Sequence, residues 1–384
     1  MDISKAMELL TLNQRVFAVM GVWPLSIDDR IFTFFAGYMA IHCCLEYAEL
    51  IQYIDNLEYV VSNLTETWTH TMSLFKLSAC RYNVKQLRRM LLDIEKDYTI
   101  DKYETPEEWQ AFYKYNRIGY KFMKISLPVI ITAAVMYYLK PLTGQLSTSK
   151  ALAGNSSAYV IPYRTRLFFE ITDLRTYVMV YLYQMPVVPI VSLSYSGTDY
   201  LLITLLFHVC GQLAVLSQQI KKTMVHSYGY SHKISQIVTK HVRLIRLAKA
   251  IDKTYNLLLL QQIFGVTLII CLVGYNVIVN WQSGPLIHLF TYLVYISAML
   301  LVLLSYCFMG DCLMNESTSL CDAFYNCEWY NVPPQHARNL LMCMARAKVP
   351  LALTAGKFYI LSLQSFTDVT KTSIAILSVL RKFL

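Results

Sequence analysis

The chain has 384 residues, 55% of them hydrophobic and only 15% charged, with a formal net charge of +9 and a mean hydropathy of +0.39. An ordinary soluble domain carries roughly a quarter charged residues, so this balance excludes one and points to a polytopic membrane protein. At about 20 apolar residues per crossing, half a dozen spans or more fit into one membrane domain; no nucleic-acid partner and no cofactor is expected.

Residues 1–25, MDISKAMELLTLNQRVFAVMGVWPL, read as a short amphipathic helix stopped at Pro24, because proline cannot continue a helix. Without a continuous apolar core before a small-residue cleavage point, no signal peptide is expected. Seven apolar stretches follow, at about 31–54, 64–80, 118–139, 176–200, 255–279, 286–310 and 357–381. The second is the weakest, since it carries His70 and several threonines. Together they predict an all-α membrane protein in a single domain, residues 1–384, with seven transmembrane helices.

Basic residues collect on the cytoplasmic side of a membrane. Of the 34 Lys and Arg, ten fall between Arg81 and Lys124, eight between Lys221 and Lys253, and others at Lys5, Arg15, Arg30, Arg338, Arg346, Lys348 and Lys357. The opposite side receives Lys140, Lys150, Arg164, Arg166, Arg175, Arg381 and Lys382, and Lys76 and Lys371 lie inside spans. This asymmetry predicts the N-terminus inside and the C-terminus outside. The sequons at Asn63 and Asn155 then fall in outside loops as glycosylation candidates, whereas the one at Asn315 falls inside. A G-protein-linked receptor has the opposite orientation, and the Asp-Arg-Tyr and Asn-Pro-x-x-Tyr signatures of that class are missing.

Helical periodicity continues past the bilayer. Ile237, Val238, His241, Ile245 and Ala248 share one face, with Lys240, Arg243 and Arg246 opposite, and spans four and six run on to about Lys221 and Trp329. Helices of forty-odd residues are about twice the bilayer thickness at ~1.5 Å per residue, so residues about 201–254 and 311–350 are expected to project into the cytoplasm, where their apolar faces either pack on one another within a subunit or form a subunit interface. In span four the run YLYQMPVVP places Pro186 and Pro189, which predicts a kink.

No catalytic constellation is visible. The ten cysteines lie in spans or inside segments, where buried thiols are expected; Cys321 and Cys327 lack the pairing of a zinc site, and no metal ligands are assigned. Ser73-Leu-Phe-Lys76 matches an acylating Ser-x-x-Lys pattern but has no companion motif. Aromatic and apolar residues in the outer halves of spans, Trp68, Met72, Ile131, Tyr138, Tyr177, Tyr181, Tyr292 and Tyr295, form the candidate ligand-binding set, since an apolar cavity with a few hydroxyls is the usual make-up of a small-molecule pocket. Taken singly, tyrosines and tryptophans also populate the membrane interface.

The last span carries charges. Asp368 lies about 16 Å of helix from Lys357, near mid-bilayer, where an isolated charge costs at least a few kcal/mol, and Lys371 is spaced to pair with it. Leu361, Ser365, Asp368, Thr372, Ile376, Val379 and Phe383 share one face, polar within and apolar without. One reading is an ion pair buried between helices; the other is a conduit wall, with Val379 and Phe383 as a dewetting constriction, assembled from several copies. A transporter or membrane enzyme would need polar clusters in several spans, whereas this chain is expected to concentrate them in the last.

Residues 321–334, CDAFYNCEWYNVPP, and 337–383, ARNLLMCMARAKVPLALTAGKFYILSLQSFTDVTKTSIAILSVLRKF, resemble the C-terminal third of insect odorant receptors, specifically the odorant-tuned subunits. The resemblance implies a ligand-gated, non-selective cation channel for permeant cations, assembled as a heterotetramer with the odorant receptor co-receptor in the plasma membrane of an olfactory neuron dendrite. It implies a pocket for a small volatile odorant among spans two, three, four and six, a pore lined by Ser365, Asp368, Thr372, Ile376, Val379 and Phe383, with Val379 and Phe383 at the narrow gate, and a cytoplasmic anchor region between subunits, about 201–254 and 311–350, built from the ends of spans four to six and the helix near 335–347. The absence of an extended insert between spans four and five fits a tuning subunit. Gustatory receptors share the layout, but their terminal Thr-Tyr-x5-Gln-Phe signature is missing.

Overall fold

Helices dominate because a chain in lipid must satisfy its backbone polar groups internally. The computed structural model describes residues 3–99, 103–149, 159–223, 230–280, 286–327, 329–331 and 333–380. Its elements in chain order are α1 (Ile3–Val19), α2 (Asp29–Gln52), α3 (Leu57–Tyr82), α4 (Val84–Glu95), α5 (Pro106–Ser149), α6 (Leu174–Gln184), α7 (Val187–Thr223), α8 (Tyr230–Asn280), α9 (Leu286–Asn326), α10 (Pro334–Ala347), a hairpin of β1 (Thr354–Ala355) and β2 (Tyr359–Ile360), and α11 (Leu363–Leu380). The chain is an all-α membrane protein. Five of its helices, counting α6 and α7 as one, are long and apolar enough by themselves to cross a membrane; α3 and α11 complete a set of seven.

Helix α3 falls short in hydropathy because its polar face is turned inward. Thr65, Thr69, Thr71 and Ser73 each donate to the carbonyl four residues back, at 2.7–2.9 Å, which satisfies their hydroxyls inside the helix. By contrast, α2 exposes Phe34, Ile41 and Ile51, the surface that lipid covers.

Helix α7 is the hub. It packs on α1, α3, α5, α8 and α9, and nearly every residue from Tyr195 to Leu213 is buried. Helices α5, α8 and α9 contain 44, 51 and 41 residues, or about 60–75 Å of helix, and so project well beyond a bilayer. Helices α4 and α10 flank the projecting ends of α7, α8 and α9, and this end of the bundle is called basal below. The expected kink in span four is a break between Gln184 and Val187, at Pro186, which has no N–H to give to the ladder.

The final helix departs from the expected range. Residues 357–362 are not helical: Gly356 and Lys357 take φ of 61° and 69° in the turn of the hairpin, and Thr354 donates from both its N–H and its hydroxyl to Asp252 on α8, each at 2.7 Å. Leu361 is therefore buried ahead of α11, not on its face. Ser362 immediately precedes α11, and its hydroxyl accepts from the Ser365 N–H at 3.2 Å, a capping arrangement. A side chain at Gly310 would collide with the Leu361 carbonyl, so this glycine lets the hairpin exit lie directly on α9.

At the basal end Asp97 joins three elements. It lies 3.1 Å from His208 on α7 and accepts from Arg243 on α8 at 2.8 and 2.9 Å, while Arg243 also reaches Asp93 on α4. Burial pushes the Asp97 carboxyl up, but the hydrogen bonds and charges of His208 and Arg243 outweigh it and hold the group well below the ordinary carboxylate range. A depressed folded-state value means stability that is full above the unfolded value near 4 and lost as pH falls through the folded one. Between about pH 5 and 3, the melting temperature of the purified wild-type chain should therefore fall more steeply than that of Asp97→Asn. Parallel curves would show that Asp97 has no such linkage.

Candidate functional site, an apolar cavity between four helices

At the end of the bundle away from α4 and α10, helices α3, α5, α7 and α9 separate around a cavity of about 60 Å³. These are spans two, three, four and six of the sequence reading. Its wall is mainly apolar: Ile130, Ala133 and Ala134 from α5, Val188 and Val191 from α7, and Ala298, Met299 and Val302 from α9. Small alanines on facing helices leave the space that larger side chains would fill.

Most polar groups in the wall are already committed. Glu66 accepts from the Tyr137 hydroxyl at 2.9 Å, the Arg164 backbone N–H at 2.9 Å and the Arg164 guanidinium at 2.7 Å; the charge is thereby paired where burial alone would make it costly. Tyr295 shares a hydrogen bond with Thr69. Tyr163 roofs the cavity from the segment before α6, and Gln184 grips that segment by accepting from the Tyr163 N–H at 3.0 Å and donating to its carbonyl at 2.9 Å. Ser192 is the exception. It lines the cavity, is buried, and its hydroxyl has no hydrogen-bond partner among the described residues. A buried hydroxyl without a partner is unfavourable, and a bound molecule with one polar atom can supply the bond.

Just below lies an ion pair. Lys76 of α3 donates to both Asp199 oxygens at 2.8 and 2.9 Å and to the Tyr306 hydroxyl of α9 at 3.3 Å. Its ammonium stands 3.6 Å from the ring centre of Tyr195, a cation–π distance, and Tyr195 itself lines the cavity.

Among the ligand candidates from sequence, Tyr295 lines the cavity. Trp68 and Met72 lie on the adjacent stripe of α3, where Met72 fills the space over Gly265 of α8 and the Trp68 ring packs edge-on against Phe264 at 5.6 Å. Ile131 is 40% exposed on the outer side of α5. Tyr138 and Tyr181 donate to each other's carbonyls at 2.7 Å, Tyr177 donates to the Val160 carbonyl at 3.1 Å, and Tyr292 accepts from Lys140 at 2.6 Å. These tyrosines tie the rim together. Aromatic content marked the right helices, but the neighbouring stripe of α3 holds the lining residues Thr65, Glu66, Thr69 and His70.

Within α11, Ser365 is buried and donates to the Ile360 carbonyl at 2.7 Å, whereas Asp368, Thr372, Ile376 and Val379 are on the exposed face; Phe383 lies outside the described residues, as does Asn155. Asp368 and Lys371 are both exposed and form no ion pair with each other. The expectation that polar groups concentrate in the last span is overturned: Lys76–Asp199, Glu66–Arg164 and Glu46–His70 bury charged or titratable pairs among other spans. An intramembrane lysine and aspartate in separate spans were the available signal, since such residues seek each other. Asn63, the other sequon, is fully buried, and its amide donates to the Glu46 and Arg164 carbonyls.

A sequence model described as "7tm Odorant receptor" matches residues 56–374. Odorant receptor 13a of Drosophila melanogaster is 23% identical over 94% of this chain and 92% of its own length, and odorant receptor 94a of the same organism is 23% identical over 97% of each. Among solved structures, the olfactory receptor OR5 of Machilis hrabei in complex with eugenol superposes with a TM-score of 0.85 at 15% identity, covering 99% of this chain and 100% of that one. A second structure of the same OR5 gives 0.78 at 16% identity, with 98% of each covered. The fold is thus shared across a large sequence distance, and with the family match over most of its length this chain belongs to the 7tm odorant receptors.

Proposed function

We propose that this chain is the odorant-binding subunit of a heteromeric, ligand-gated, non-selective cation channel, assembled with the odorant receptor co-receptor in the plasma membrane of an olfactory neuron dendrite. The observation that carries the reading is the mainly apolar cavity lined by Ser192, whose buried hydroxyl has no hydrogen-bond partner among the described residues. Such a site suits a small volatile molecule that is mainly apolar and has a single polar atom, and the eugenol complex of the solved relative gives a first compound to try.

The exposed face of α11 supports the channel half of the proposal. Charged residues at membrane depth are rare on lipid-facing surfaces and belong in bundle interiors or beside water. Asp368, Lys371 and Thr372 therefore call for neighbouring subunits around a wet conduit, with Ile376 and Val379 as its drier end. Basic residues gathered at the basal end support a cytoplasmic position for it and for the anchor helices.

Expression with and without the co-receptor, followed by current recording under an odorant panel, tests the reading. Odorant-evoked currents are expected only with the co-receptor, and Ala133→Phe, which fills the cavity, should raise the half-maximal odorant concentration by more than about tenfold at unchanged surface expression. Currents that ignore Ala133→Phe would remove the cavity from the account.

Ser192→Ala offers a finer discrimination. Loss of one hydrogen bond of about 0.5–1.5 kcal/mol should weaken the response to oxygenated odorants by roughly 2- to 12-fold and leave hydrocarbon odorants unaffected. Equal loss for both classes would contradict a polar role for this hydroxyl.

A further inference from the structure

A second cluster of chemistry-bearing side chains lies behind the cavity wall. His42 and Glu46 are one helical turn apart on α2 and share a face, and His70 approaches them from α3. His70 Nδ1 is 2.8 and 3.0 Å from the two Glu46 oxygens, and His42 Nε2 is 3.4 Å from Glu46 Oε1. One potential ligand atom from each residue lies within 4.8 Å of the other two. His42 and Glu46 are fully buried and His70 is 4% exposed, so water does not compete for them at the surface.

His42 is the unexplained member. Neither of its ring nitrogens has a hydrogen-bond partner among the described residues, although Nε2 lies 3.4 Å from Glu46 Oε1. One proton shared between His70 and Glu46 accounts for their short contact and leaves His42 as it is. A divalent ion accounts for all three residues, because it takes a lone pair from each imidazole and one from the carboxylate.

We propose that His42, Glu46 and His70 form a binding site for a divalent transition metal of the Zn²⁺ class between α2 and α3. Imidazole and carboxylate donors suit this class. With metal–ligand bonds of about 2.0–2.2 Å, adjacent ligands of a tetrahedral ion stand about 3.4 Å apart, the separation found between His42 and Glu46. Three protein ligands leave a fourth position open, the pattern of an exchangeable site and not of a closed structural one. Because His70 also lines the cavity, an ion here would stiffen the wall against which an odorant packs. The Tyr163 ring caps the cluster, with centroids 5.7 Å from His42 and 4.9 Å from His70. The proposal is independent of the channel reading.

Purified full-length receptor, stripped with a chelator and titrated with Co²⁺, tests it. The wild type should bind one equivalent per chain with the visible ligand-field bands of four-coordinate Co²⁺, displaced on addition of Zn²⁺. Binding should weaken by more than about tenfold in His42→Gln, since even outer-shell changes reach that size, and remain unchanged in the exposed control His232→Gln. No saturable binding, bands of six-coordinate aqueous Co²⁺, or affinity indifferent to His42→Gln would each overturn the site. The wild-type spectrum decides the matter even where a variant fails to fold.

Discussion

The Lys76 side chain is 1% exposed in the interior of a bundle meant for lipid, and its position is set by Asp199, which lies 123 residues away in sequence. Removing two charges from water is expensive, and the loss of one partner leaves the other buried and uncompensated. The two helices that carry them cannot shift far without that cost, so the pair fixes α3 against α7. Tyr306 brings α9 to the same point, and the Tyr195 ring lies over the ammonium. Three of the four cavity walls thus meet in one buried polar knot, and the space above it has a defined floor.

From that floor, the structure divides by solvent. Toward lipid, α2 and the outer stripe of α5 present isoleucine and phenylalanine. Toward the interior, threonines and serines of α3 return their hydroxyls to their own helix and leave room for Glu66 and His70 to find partners. At the basal end, where helices extend past the bilayer, Asp97 and Arg243 repeat the device under milder conditions, holding α4, α7 and α8 together. The same α9 that lines the cavity runs on to carry α10, the Leu361 contact and one flank of α11. A ligand that changes the packing of α9 therefore acts on a rod continuous with the elements beside the proposed pore.

Runs of apolar residues made the helices legible, and proline chemistry located the break in span four, because both depend on nearest neighbours. What depends on rotation about a helix axis was harder to read. Trp68 and Met72 lie on the same helix as the cavity lining but one stripe away, and only packing against Gly265 decides which stripe faces α8. Pairings over long sequence separation, Lys76 with Asp199 or His70 with Glu46, leave no local pattern beyond an ionisable residue in an apolar segment. The start of α11 was legible in principle: Gly356 before a lysine in the left-handed region signals a turn, and Ser362 is a good N-cap, yet the apolar run around them resembles continuous helix.

The clamp between α3 and α7 is the point on which cavity, fold and coupling converge, and a double-mutant cycle on thermal stability of the purified receptor measures it directly. Lys76→Met and Asp199→Leu should each cost about 3–5 kcal/mol, and the double variant should recover most of the loss, since it leaves no unpaired charge in the interior. Additive losses in the double variant would contradict the account.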